Sequence, residues 1–178
     1  MDVKLGLGLA TGMFYHAPAG TALPTDPTAT IPSTWTHVGD VSEDGITLAT
    51  DKSVTNLKNW ANKIKRAIMT DHSETIKSPL MDTTAEVLKT VLGEDNVTVS
   101  GSKTTAKLSA DDLPEQEAFL WVMKDGDDMM MLGCSYGQVT AVDNVSFTPG
   151  GAINWVPTIT AMGTDGLVFI LDESSSSS

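Results

Sequence analysis

Basic residues, cysteines and long apolar runs are what this sequence has least of, and each shortage closes a class of function. Eleven Lys and Arg stand against 23 Asp and Glu in 178 residues, a formal net charge of −12 with a pI near 4.4. Arg66 is the only arginine. Gripping phosphates takes clustered Lys and Arg, so tight nucleic-acid binding is excluded, whereas lying close to nucleic acid without holding it is not. Cys134 is the only cysteine. No internal disulfide can form, a cysteine-based zinc site is ruled out, and the residue is expected to be a small buried apolar group. No apolar run nears the roughly 18–20 residues a membrane helix needs. The early run Leu5–Ala10 is broken by glycines and follows Asp2, which spoils it as a signal peptide. The expectation is a soluble protein with no export signal and no membrane partner.

Catalytic and cofactor motifs are equally scarce. Gly6, Gly8 and Gly12 have the wrong spacing for a dinucleotide loop, and Pro18 follows where its helix should run. His16, His37 and His72 fall in no metal-ligand spacing. Asp125-Gly126-Asp127-Asp128 lacks the calcium-loop pattern and its closing Glu, and reads as a solvated turn. Gly133-Cys134-Ser135-Tyr136-Gly137 looks like a nucleophile loop, but it joins two strands with no helix to follow. The carboxylate pairs Asp111–Asp112 and Glu115/Glu117 read as a surface loop. No enzyme, cofactor or metal is expected.

What the chain does contain is β-branched residues: Thr, Val and Ile supply 45 of the 178, and such side chains suit pleated, half-buried surfaces. Residues 1–34 are punctuated by Gly and Pro and read as an extended arm, ordered where another surface holds it. Residues 35–172 read as one β-domain, and 173–178 as a disordered serine tail. Within the domain, Trp35–Val41 and Ile46–Thr50 form a hairpin across Ser42–Gly45. Asp51–Asn62 reads as a polar loop carrying two apolar anchors, Leu57 and Trp60. Ile64–Thr70 and Glu74–Met81 follow as strands around a turn at Asp71–Ser73, with Ile64, Ile68, Ile76 and Leu80 facing inward. Thr83-x-x-Glu86 is a capping box opening a short helix with Val87, Leu88, Val91 and Leu92 on one face, and Gly93 is placed to end it in the left-handed conformation. Strands then return: Asn96–Val99, Thr104–Leu108, Ala118–Lys124 (apolar on both faces), Met129–Ser135, Gly137–Phe147, Ala152–Met162 and Leu167–Leu171. The fold class is mainly β: an antiparallel sandwich or barrel with one short α-helix packed on the sheet.

Such a sheet leaves open edges, which template self-association. Residues 111–178 carry 11 acids and one cation, Lys124, so no row of lysines guards those edges. Met129-Met130-Met131-Leu132 puts large groups on both faces of a strand. It serves either a core or an interface between subunits, where methionine adapts well.

Particular segments resemble the major tail proteins of long-tailed actinobacterial phages. Ala17–Asp26 is similar to the family's amino-terminal arm, Trp35–Gly45 to its first hairpin, and the stretch with Leu57-Lys58 and Trp60 to the loop after the second strand. Ala85–Lys89 and Gly93–Val99 are similar to its helix and exit, with a weaker likeness at Thr158–Ala161. The resemblance implies a virion protein, assembled in the bacterial host cytoplasm, whose hexameric rings stack into a tail tube lined by one continuous β-barrel. It implies a tape measure protein, a tail terminator and a distal tail protein as partners, and double-stranded DNA passing through unbound. In that setting Leu57, Trp60, Trp35, Met129 and Met131 are candidate contacts between subunits or rings, and Asp127 and Asp128 candidate acids of the lumen or rim, where like charge keeps DNA off the wall. Two other readings fit the residues: a ring-forming tube of a contractile injection or secretion system, and a monomeric β-sandwich binding module.

Overall fold

The computed structural model describes residues 4–8, 13–109 and 111–173; the serine tail from 174 onward and the arm's residues 9–12 lie outside them. Its spine is an antiparallel pair, β8 (Glu117–Asp125) and β9 (Asp128–Val142), joined by a tight turn with Gly126 at φ 60°. Period-two alternation along β8 sends Phe119, Trp121 and Met123 to one face and Ala118, Leu120 and Val122 to the other. Both faces are covered, so the stretch Ala118–Met123 is apolar without a break. On the first face Phe14 stacks against both Phe119 and Trp121, at centroid distances of 5.9 and 4.9 Å.

Around this spine runs the order β3-β2-β8-β9-β10-β5-β4, where β2 is Phe14–Pro18, β3 Thr36–Gly39, β4 Thr47–Lys58, β5 Ile64–Lys77 and β10 Pro157–Ala161. Two short strands add to it: β1 (Leu7–Gly8) pairs with the end of β8, and β11 (Val168–Asp172) with the start of β9. A separate two-stranded ribbon joins β6 (Val97–Ser100) to β7 (Lys103–Ala106). The fold is mainly antiparallel β with one short helix, α1 (Ala85–Leu92), which buries Val87, Leu88 and Val91 in the first cluster. Gly39 lets the helix approach β3: a Cβ there would lie 2.9 Å from Val87 Cγ2.

Several local expectations change. Residues 1–34 are not simply an arm: β2 lies inside the sheet, and Leu23, Ile31 and Trp35 pack over its second face. Gly and Pro there punctuate a chain that the sheet's apolar surface holds in place. Trp35–Val41 and Ile46–Thr50 do not pair with each other; β3 pairs with β2 and β4 with β5. The helix cap is Thr84, whose hydroxyl accepts from the Val87 N–H at 3.3 Å, while Thr83 accepts from the Trp155 indole at 3.2 Å. Gly93 has positive φ (94°) but ψ 144°, outside both the left-handed helical and the extended regions, a conformation open to glycine. The largest change is at 51–73: neither the loop nor the turn exists, and one long hairpin runs through both.

Candidate assembly surface

Every residue from Thr47 to His72 is exposed. β10 pairs with β5 only at Lys77, Ile76 and Thr75. Beyond that point β4 and β5 have no strand partner but each other among the described residues, and at about 3.3 Å per residue the nine residues Thr50–Lys58 carry the ribbon about 30 Å outward. A two-stranded hairpin alone is marginal in water.

The tip is well built. The Asn59 N–H donates to the Lys63 carbonyl at 2.9 Å, the Asn62 N–H to the Asn59 carbonyl at 2.9 Å, and the Lys63 N–H to Asn59 Oδ1 at 2.9 Å. Asn62 takes φ 59°, a left-handed position that asparagine tolerates. Trp60 stands at the apex with its whole side chain in solvent.

The ribbon's faces differ. Directly paired residues share a face, and β5 carries two extra residues, Thr70 and Lys65, where the register shifts. One face therefore runs Ile76, Val54 with Met69, then Ile64 at the tip. Ile76 is fully buried in the core, whereas Val54, Met69 and Ile64 are 54%, 57% and 58% exposed. The polar pairs Thr50–Glu74 and Lys52–His72 separate the buried base from these outer apolar groups, which lie exposed on the same face. Leu57 lies on the opposite face, paired with Arg66, next to Thr55 with Ile68. Of the four residues expected to face inward, Ile76 and Leu80 do, and Ile64 and Ile68 do not.

The other expected contact residues divide. Leu57 and Trp60 are exposed, where an interface needs them. Trp35 and Met131 are buried in the chain's own second cluster, and Met129 is half-buried against it. The methionine run at the start of β9 is thus intramolecular packing, and Trp35 and Met131 are withdrawn as contacts between subunits. Asp127 is exposed on its turn. Asp128 is instead half-buried and ion-paired with Lys4, whose ammonium also lies 3.6 Å from Glu173, so it is not a freely projecting acid.

Residues that the sequence reading passed over are Val54 and Met69, and above all the cations. Residues 52–70 contain Lys52, Lys58, Lys63, Lys65 and Arg66 and no acid. Among the described residues no three or more His, Cys, Asp or Glu form a group able to hold a metal, and no helix is long and apolar enough to cross a membrane. Burial pushes the Cys134 thiol up to about 11, which makes it a poor nucleophile.

A family model described as phage tail tube protein matches residues 8–171. The chain belongs to the phage tail tube protein family. It is a structural virion protein. No curated protein matches the tail tube chain. Among solved structures, a chain from the virion of a native gene transfer agent particle aligns with a TM-score of 0.46 and 9% identity, over 79% of this chain and 92% of that one.

Proposed function

We propose that this tail tube protein is the major tail protein of a long-tailed phage, similar to those of actinobacterial hosts, and that it polymerises into stacked hexameric rings forming the conduit for DNA ejection. The observation that carries this reading is the β4–β5 ribbon: about 30 Å of paired backbone with exposed Val54, Met69, Ile64 and Leu57 and a bare tryptophan, which no other described part of the chain covers. A neighbouring copy supplies the missing cover, and copies joined around a pore remove the open borders at β3 and β4. A ring of six would carry −72, a wall that repels duplex DNA at short range rather than binding it. Assembly takes place in the bacterial cytoplasm, with a tape measure protein inside the growing tube and terminator and distal tail proteins at its ends.

Electron microscopy of the purified protein, concentrated and incubated, tests this. Hollow tubes with six-fold end views are expected. Uniform small particles at every concentration would overturn the reading.

A further inference from the structure

Charge in this chain is segregated by position. Residues 52–70 carry net +5, and the remainder −17. All five cations of the ribbon are exposed, and among the described residues none is ion-paired. At the other end of the sheet order lies a cleft of about 760 Å³ between β2, the start of β8, the exit of α1 and the 111–116 loop. Seven of its 19 lining residues are carboxylates, against two lysines. Lys89 is already held by Glu86 and Glu94, at 3.5 and 3.9 Å, and His16 by Glu117 at 3.0 Å. Asp95, Asp111, Asp112 and Glu115 are exposed and have no cation partner among the described residues.

We propose that the cationic hairpin of one copy seats in the acidic cleft of the next copy, with Lys63, Lys65 and Arg66 answering Asp111, Asp112 and Glu115. The proposal rests on the self-assembly reading and gives it a chemical polarity. Donor and acceptor lie at opposite ends of one sheet, β4–β5 and β2–β3. The contact is therefore heterologous, the kind that repeats head to tail into a closed ring or an open stack rather than ending at a dimer. Complementary potentials fix register and speed encounter, while Trp60 and the exposed apolar groups of the ribbon supply contact area that the charges alone lack. Duplex DNA is the wrong occupant for the hairpin, because the remainder of the chain repels it.

The test is a charge swap in the full-length chain. Lys63→Glu/Lys65→Glu/Arg66→Glu in the hairpin, or Asp111→Lys/Asp112→Lys/Glu115→Lys in the cleft, should each cut tube yield about tenfold or more with circular dichroism unchanged. The chain carrying both sets should polymerise again. Carbodiimide cross-linking of wild-type tubes provides a readout that needs no variant: hairpin lysines should join carboxylates at 111–115 between copies. If wild type forms no tubes at all, the self-assembly reading fails. If wild type forms tubes but both reversals assemble undiminished, or the hairpin lysines cross-link only elsewhere, the docking fails and the assembly reading stands. Hairpin-dependent binding of a short DNA duplex, with tube growth unaffected by either reversal, also overturns the docking.

Discussion

The indole N–H of Trp121 donates to the hydroxyl of Ser78 at 3.1 Å, and neither residue has any accessible surface. This bond ties the central strand β8 to the chain just after β5, where the exposed hairpin leaves the sheet. Ser78→Ala would orphan a buried donor, at a cost of about 1–3 kcal/mol. Urea denaturation should show a lower midpoint with an unchanged slope.

Trp60→Ala should do the opposite. The side chain is fully exposed, so folding stability should change by less than about 0.5 kcal/mol. Circular dichroism and urea midpoint should match wild type, while tube elongation by light scattering fails.

His16 links stability to pH. Burial alone would lower its pKa, but the Glu117 hydrogen bond and the charges of Glu117, Glu86 and Glu94 outweigh this and raise it above 6.5. A raised pKa means that the protonated form is favoured in the fold. The stabilisation is complete below the unfolded value and is lost as pH climbs through the folded one. His16→Gln should therefore narrow the gap in melting temperature between about pH 5 and 9, with its largest loss on the acid side.

Cys134 is buried in the first cluster, with its thiol held protonated well above neutral pH. Iodoacetamide should leave it unmodified in the folded protein and label it fully in denaturant. Labelling at equal rates in both would contradict the packing around β9.

Asp127→Lys is expected to slow DNA delivery in reconstituted particles without changing tube yield, because the side chain is exposed on its turn. Asp128 is the wrong residue for that experiment, since reversing it breaks the pair with Lys4.

The sequence made some elements plain and hid others for a single physical reason. β8 and α1 bury their side chains within the chain, so their apolar pattern states their geometry. The ribbon at 47–73 buries almost nothing there, so no period separates it from a loop. Asp71-His72-Ser73, all polar, passes for a turn when it is mid-strand opposite Lys52 and its neighbours. Trp35 and Met131 misled in the reverse sense, because a large apolar residue in a strand reads the same whether the neighbour that covers it is internal or another copy. The cationic run was visible in principle. Residues 1–60 sum to −3 and residues 61–110 to +1, windows that meet at the apex tryptophan and average the run away.

In the assembled tube another copy is expected to cover the ribbon. Hydrogen exchange at the backbone amides of 50–72, compared between dilute subunit and assembled tube, tests it most directly. Fast exchange is expected in the subunit and strong protection over this segment in the tube; equally fast exchange in both would mean that no neighbouring copy covers the ribbon.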